Sequence, residues 1–226
     1  MDFVLLHGTT QTPGGWDPLA GALARRGSRS VAVDFPVDRP GLLADDYATV
    51  AAHQAEDVRD PVVVAHSAAG VLAPAVARRL GARHLVWLAA VVPEFGGRSF
   101  ADQVAGDGAT MFGAEWHRWT RPPEAVPVET AYFLFHDCDL ASLRGAMRTV
   151  RLFSPRAAFA EPPDPTPPDV PSTYVVATAD RTLTSAWTAS AARERLGTEP
   201  VEIDAGHCPH VSRPEDVADV LSGLAA

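Results

Sequence analysis

The sequence predicts an α/β fold, a mainly parallel sheet flanked by helices, with a helical insertion between two of its strands. Three observations predict it. Short apolar runs alternate with longer segments of helical pattern over residues 1–93, and the same alternation returns over residues 172–226. The stretch between them has no clear strand pattern and holds most of the aromatic residues. Alternating strands and helices indicate parallel strands joined by right-handed crossovers.

The predicted strands are short, largely apolar runs, and residues 3–6 are apolar throughout, as expected of a strand buried in the middle of a domain. Turn-forming or polar residues bound these runs, and most of the runs are rich in valine, leucine or isoleucine. The predicted strands are residues 3–6, 30–33, 61–65, 84–89, 173–177 and 200–203.

Helices are predicted at residues 17–26, 41–56, 68–80, 185–196 and 214–224. In the first of them Asp17 is the predicted N-cap and Pro18 the first helical residue, a position where proline is favoured. Glycines mark the ends of two helices, with Gly27 after the first and Gly81 after the third.

The predicted domain organisation is a core of residues 1–93 and 172–226, interrupted by a helical cap at residues 94–171. Within the cap, helices are predicted around residues 130–135 and 140–149. A proline-rich run over residues 161–171 ends it, and this composition is typical of an extended connector. The alternative interpretation is a ligand for a proline-recognition domain.

Composition limits the classes of function. The formal net charge is −9, and all 19 basic residues are dispersed arginines, so no basic face for nucleic acid is expected. No apolar stretch approaches the roughly 20 residues that span a bilayer. The two cysteines, Cys138 and Cys208, are interpreted as free thiols. Because the first residues also lack the basic region of a signal peptide, we expect a cytoplasmic protein without nucleic-acid or membrane partners.

A serine at a strand-to-helix turn is the strongest local signal for catalysis. Ser67 follows the apolar run Val62–Val64 and directly precedes a predicted helix. Such a sharp turn exposes the serine hydroxyl at a helix N-terminus and requires small neighbours two residues away on either side. Ala65 and Ala69 occupy those positions, where the usual pattern has glycine. The alternative role is a serine that caps a helix.

Two further residues complete a catalytic pattern. His207 lies in a Gly-His pair after the last predicted strand, and histidine exchanges protons near neutral pH. Asp180 follows the preceding strand and would orient the histidine, with Asp204 as the second candidate acid. The order Ser67, Asp180, His207 is that of the nucleophile, acid and base of an α/β-hydrolase. His207, Cys208 and His210 also suggest a metal site, but a fourth ligand is missing and no metal is expected.

Several segments together resemble the α/β-hydrolase superfamily, in particular the small branch of plant methylesterases, hydroxynitrile lyases and bacterial esterases. The matching segments are His7-Gly8 with Gly14-Gly15-Trp16, the elbow at His66-Ser67, the strand and following residues 85–93, Asp180-Arg181 and Gly206-His207. The resemblance implies an α/β-hydrolase fold with a cap, and an oxyanion hole formed by the backbone N–H groups of Thr9 and Ala68. It implies a serine hydrolase that cleaves a small apolar ester, thioester or lactone through an acyl-enzyme, without a cofactor.

The same residues bear on other reactions of the families that the sequence resembles. Hydroxynitrile lyases of this branch have a lysine after the catalytic histidine, whereas Cys208 stands here, Gly8 is retained and the chain has no lysine. A dehalogenase would have an aspartate in place of Ser67. Two alternatives remain open, a non-catalytic small-molecule binding protein on the same fold and an acyltransferase. Arg118, Arg121 and Arg148 are candidate contacts for an acidic group on the substrate.

Overall fold

The structure is a computed structural model that describes residues 1–119 and 127–224, apart from the side chains of His117 and Trp119. Its strands are β1 (Asp2–Leu6), β2 (Arg29–Val33), β3 (Val62–His66), β4 (His84–Leu88), β5 (Ser172–Ala177) and β6 (Val201–Ile203). They form one parallel sheet in the order β2-β1-β3-β4-β5-β6. The predicted fold class is therefore confirmed, and each predicted strand agrees with an observed one to within one residue at either end.

The helices of the described residues are α1 (Asp17–Arg25), α2 (Ala44–Gln54), α3 (Ala73–Leu80), α4 (Phe100–Met111), α5 (Ala114–Trp119), α6 (Pro127–Leu134), α7 (Leu140–Met147), α8 (Arg156–Ala160), α9 (Ser185–Leu196), α10 (Pro209–Ser212) and α11 (Pro214–Gly223). Two 3₁₀ turns, Pro13–Trp16 and Ser67–Val71, precede α1 and α3.

Helices cover both faces of the sheet, and successive strand residues point to opposite faces. On one face, Val63 of β3 belongs to a core cluster that includes residues of α2, α3 and α9. On the other, Val62 and Val64 belong to a cluster with residues of α1 and α11. Strands buried on both faces need apolar residues at nearly every position, and this pattern made the central strands β1, β3 and β4 predictable from the sequence.

Helix boundaries differ more from the prediction. The expected N-cap Asp17 is wrong, because the 3₁₀ turn continues into α1 and makes Trp16 the capping position and Asp17 the first helical residue. The helix predicted at residues 41–56 begins only at Ala44, where the Asp46 carboxylate accepts a hydrogen bond of 3.0 Å from the Leu43 N–H. The helix predicted at residues 68–80 is divided into the 3₁₀ turn and α3.

Helices α4 to α8 all lie between β4 and β5 in the chain. Helices α6 and α7 correspond to the two predicted stretches, whereas α4, α5 and α8 were not predicted. Helix α4 contains Gly106 and Gly108, which weaken the helical signal in the sequence. The described residues 161–171 contain no helix or strand. The division of the chain into a core and a separate cap stays a prediction.

Among residues 1–119 and 127–224, no helix combines the length and the apolar character required to cross a membrane.

Candidate active site

Ser67 lies at a sharp turn directly after β3. Its φ of 56° is in the left-handed region, which non-glycine residues rarely adopt. The Ser67 carbonyl accepts a hydrogen bond of 3.0 Å from the Val91 N–H, so the turn is held against the segment after β4. Any Cβ at position 70 would overlap the carbonyl oxygen of Val91, and the approach of the two backbones therefore requires Gly70.

The side chains of Ser67, His207 and Asp180 form a continuous chain of hydrogen bonds. His207 Nε2 lies 2.9 Å from Ser67 Oγ, and His207 Nδ1 lies 2.7 Å from Asp180 Oδ2. The His207 and Asp180 side chains are 1% and 2% exposed. Because an ionised carboxylate only accepts, Nδ1 carries the imidazole proton, and Nε2 of the neutral ring is free to accept the Ser67 hydroxyl proton.

Asp180 is fixed by the turn that follows it. Its Oδ1 accepts hydrogen bonds from the Thr182 N–H at 2.6 Å and the Leu183 N–H at 3.1 Å, which leaves Oδ2 facing His207. Asp204, the second candidate acid, is exposed. Of the two candidate acids, Asp180 is therefore the one that contacts His207.

The loop after β1 passes directly beside Ser67, since a Cβ at position 8 would lie 2.9 Å from the Ser67 Cβ. This loop carries Thr9, and Ala68 follows Ser67 at the start of the 3₁₀ turn. Residues 149–153 hold the loop in place. The Thr9 carbonyl accepts a hydrogen bond of 2.6 Å from the Phe153 N–H. Farther along the loop, the Arg151 N–H donates to the Thr10 carbonyl at 3.1 Å, and the Thr12 N–H donates to the Thr149 carbonyl at 2.9 Å.

The buried histidines His66 and His210 lie near His207. The sequence pattern groups His210 with His207 as a possible metal site, whereas the contact of His66 with His207 was not predicted. His66 Nε2 donates to the His207 carbonyl at 2.8 Å, and His210 Nε2 lies 3.2 Å from Gln11 Oε1. Burial lowers the pKa of His66 well below its usual value and that of His210 to about 3. Both imidazoles are therefore neutral near pH 7, so neither places a positive charge beside the imidazolium that His207 forms when it accepts a proton.

The metal cluster suggested by the sequence is arranged differently in the structure. Both ring nitrogens of His207 are hydrogen-bonded, to Ser67 and Asp180, whereas His66, Cys208 and His210 bring ligand atoms within 4.8 Å of one another. Burial raises the pKa of the Cys208 thiol well above its usual value, so the sulfur is a neutral thiol and a weak ligand.

The helical segment between β4 and β5 contacts both loops that carry Asp180 and His207. The backbone around Asp180 pairs with that after α4 through Gly113 N–H to the Thr182 carbonyl at 2.9 Å. Near the end of α6, His136 Nε2 donates to the Ala179 carbonyl at 3.0 Å, and the Asp137 carboxylate accepts from the Gly206 N–H at 2.7 Å. The polar run at residues 136–139 is the sequence signal for these contacts.

Three arginines were predicted as candidate substrate contacts. Arg118 and Arg148 are exposed on the surface. Arg121 lies outside the described residues.

A family model described as the alpha/beta hydrolase family matches residues 3–220 of the chain. Solved structures with a similar fold include a pyrethroid hydrolase from Sphingobium faniae, with a TM-score of 0.83, 20% identity and coverage of 100% of this chain and 97% of that one. They also include polyneuridine aldehyde esterase, with a TM-score of 0.79, 20% identity and coverage of 100% and 99%.

An extracellular alpha/beta-hydrolase from a Paenibacillus species, described as sharing structural and functional homology with tobacco salicylic acid binding protein 2, has a TM-score of 0.76 and 18% identity, with coverage of 99% and 98%. No protein with a curated description matches the sequence. At these identities the similarity to solved structures concerns the fold.

Proposed function

Because the chain belongs to the alpha/beta hydrolase family, we propose that it is a serine hydrolase that cleaves a small apolar carboxylic ester, thioester or lactone through an acyl-enzyme. The observation that carries the proposal is the hydrogen-bonded chain from Asp180 through His207 to Ser67. Nucleophile, base and orienting acid are the three groups that this chemistry needs, in the order in which they must contact each other.

In the proposed reaction, Ser67 Oγ attacks the carbonyl carbon of the substrate while His207 Nε2 accepts the hydroxyl proton. Asp180 keeps the proton of the neutral imidazole on Nδ1 and stabilises the imidazolium that forms. His207 then gives the proton to the leaving oxygen or sulfur as the carbon–oxygen or carbon–sulfur bond breaks, and the leaving group becomes an alcohol or a thiol. Water, deprotonated by His207, attacks the acyl-enzyme and releases the acid and free Ser67.

The backbone N–H groups of Thr9 and Ala68 are the proposed donors to the oxyanion. Both belong to segments that lie against Ser67, one in the loop after β1 and the other directly after the serine. Donors aimed at a developing negative charge contribute about 3 kcal/mol each to lowering the barrier. Backbone hydrogen bonds with residues 149–153 hold the first loop in position.

We assign residues 94–171 the role of a cap that covers the site and selects the substrate. The contacts of this segment with the Asp180 and His207 loops support the assignment. The proposal needs no cofactor or metal, and the partner is a small molecule. A cytoplasmic location and the lack of nucleic-acid partners stay predictions from the sequence.

The first test is intact-mass measurement after treatment with a fluorophosphonate, which reacts with activated serines. We expect one adduct on the wild type and none on Ser67→Ala, because the Ser67 hydroxyl is hydrogen-bonded to the imidazole of His207, which can accept its proton. Ser185→Ala is the matched control, since Ser185 is exposed at the start of α9 and its loss should leave the adduct in place.

A panel of esters, thioesters and lactones then identifies the substrate class. Wild-type protein without an adduct, or an adduct that persists on Ser67→Ala, would contradict the proposal. In the first case, tight binding of an ester without turnover would make the chain a binding protein on this fold. Transfer of the acyl group to an added alcohol, in place of water, would make it an acyltransferase.

A further inference from the structure

Asp137 lies in the turn between α6 and α7, about 70 residues before the base in the sequence, yet it contacts the backbone beside His207. Its Oδ2 accepts a hydrogen bond of 2.7 Å from the N–H of Gly206, the residue directly before His207. A charged acceptor makes this bond stronger than one between neutral groups. The bond therefore restrains the peptide group between Ala205 and Gly206, one residue before the His207 Cα.

The space beside Gly206 is shaped to admit the carboxylate. A Cβ at position 206 would lie 2.6 Å from Asp137 Oδ1 and 2.9 Å from His136 Nε2, both closer than ordinary contacts. The φ of Gly206 is outside the left-handed region, so backbone conformation alone does not require glycine there. The absence of a side chain at position 206 and the carboxylate at position 137 form a matched pair.

The neighbouring residue His136 makes the corresponding contact with the acid loop. Its Nε2 donates to the carbonyl of Ala179, directly before Asp180, at 3.0 Å. The two loops are also joined to each other, since the Ala179 N–H donates to the Ala205 carbonyl at 3.0 Å. One turn of the helical segment thus bridges the backbones of the proposed acid and base.

The turn itself is firmly anchored on the base loop. Leu134 and Phe135, just before it, belong to a buried apolar cluster with Cys208 and Val211, which follow His207. Phe135 is 1% exposed and Cys208 is fully buried. Because these apolar contacts fix the turn, the Asp137 carboxylate is held against Gly206 with little freedom to move away.

We propose that Asp137 is a positioning residue for the reaction. It holds the His207 loop in the position that keeps His207 Nε2 within hydrogen-bond distance of Ser67 Oγ. The inference rests on the proposed function, because it assigns His207 the role of base. The carboxylate does not touch the reacting atoms. It acts through the Gly206 peptide, and its loss lets the His207 ring shift relative to Ser67.

The test compares Asp137→Ala and Asp137→Asn with Asp139→Ala. Asn keeps an oxygen that accepts from the Gly206 N–H, so Asp137→Asn should react close to the wild-type rate. Asp139 caps α7 by accepting from the Ser142 N–H at 2.7 Å, so Asp139→Ala weakens the same region without touching either loop. The Asp139→Ala variant therefore shows how much activity is lost when this region is weakened but the Asp137 contact with Gly206 is kept.

We expect Asp137→Ala to slow fluorophosphonate labelling of Ser67 by about 100-fold, the cost of a displacement of about 1 Å in a catalytic group. On an ester substrate kcat should fall while KM changes little, and Asp139→Ala should change neither. Hydrogen exchange of the backbone at residues 204–208 should become faster in Asp137→Ala. Labelling of folded Asp137→Ala at the wild-type rate would overturn the proposal, as would equal losses in Asp137→Ala and Asp139→Ala.

The exchange measurement separates this inference from the proposed function. If the wild type is not labelled at all, the proposed function fails first, and unchanged exchange at residues 204–208 in Asp137→Ala then overturns the positioning role as well. Faster exchange in that case supports Asp137 as the residue that holds the loop, whatever chemistry His207 performs.

Discussion

The backbone of Ser67 is held in a conformation that only glycine adopts without strain. Its φ of 56° places the Cβ close to the following carbonyl, and a non-glycine residue in the left-handed region costs about 1–2 kcal/mol. The surrounding turn imposes this conformation, through the Val91 N–H bond to the Ser67 carbonyl and the close approach at Gly70. This strained backbone conformation directs the Ser67 hydroxyl away from β3 and toward His207.

Ser67→Gly should therefore be more stable than Ser67→Ala by about 1 kcal/mol, although both lose the hydroxyl. The measurement is the free energy of unfolding in urea. Ser190, within α9, provides the control because its backbone is right-handed, and there the glycine variant should be less stable than the alanine variant by about 1 kcal/mol. The same order of stability at both positions would show that the Ser67 backbone is unstrained.

The loop that carries Asp180 ends where α9 begins, and Thr184 joins the two elements. Its hydroxyl oxygen accepts from the Trp187 N–H at 3.3 Å and caps the helix. The same hydroxyl donates to the Thr110 carbonyl at 2.7 Å, and the Thr184 N–H donates to the Met111 carbonyl at 2.9 Å. The start of α9 is thus tied to the end of α4, which confines the Asp180 loop between two helices.

Thr184→Ala should lower the free energy of unfolding by about 1 kcal/mol, because the first turn of α9 loses its cap and the Thr110 carbonyl loses its donor. Thr184→Ser keeps the hydroxyl and should stay close to the wild type. Urea unfolding of the three proteins checks this expectation. An alanine variant as stable as the serine variant would mean that water replaces both hydrogen bonds without cost.

Strand order brings the proposed catalytic groups together at one edge of the sheet. Ser67 follows β3, Asp180 follows β5 and His207 follows β6, and in a parallel sheet the carboxyl ends of all strands lie at the same edge. The same geometry concentrates histidines in the interior of the molecule. Burial lowers the pKa of His7 to about 4 and that of His210 to about 3, and the pKa of His66 is also lowered.

Stability should consequently fall as the solution is acidified. In the unfolded chain these histidines bind protons below their usual pKa of about 6.5, whereas the folded protein does not bind them until the pH approaches about 4 or lower. The contribution of these histidines to stability is complete above about pH 6.5. Below that pH, each histidine lowers the free energy of unfolding by up to about 1.4 kcal/mol per pH unit. The free energy of unfolding, measured between about pH 7.5 and about pH 5, should show this decrease.

His210→Gln should reduce the dependence of stability on pH in this range by about one proton. His53→Gln is the control for the substitution itself, because His53 is exposed on α2. Equal pH dependence in the wild type and His210→Gln would show that His210 is not buried as a neutral imidazole.

The strands, their order in the chain and the positions of Ser67, Asp180 and His207 after them follow from the sequence by itself. A strand buried on both faces must be apolar along nearly its whole length, and a serine between small residues at a strand's end marks a sharp turn. These are local patterns, so they can be recognised without the partners that the segments contact.

The tertiary structure alone decided the contacts between distant segments. The sequence favours Asp180 and keeps Asp204 as the second candidate acid. In the structure the Thr182 and Leu183 N–H groups hold one oxygen of the Asp180 carboxylate, and its other oxygen contacts His207. The tertiary structure also decided that Asp137 reaches Gly206, across 69 residues of chain. Helices α4, α5 and α8 were not predicted. Helix α4 contains two glycines, and α5 and α8 have only 6 and 5 residues, too few for a helical period to stand out in the sequence. Which polar groups meet depends on how the elements pack, and no local pattern records it.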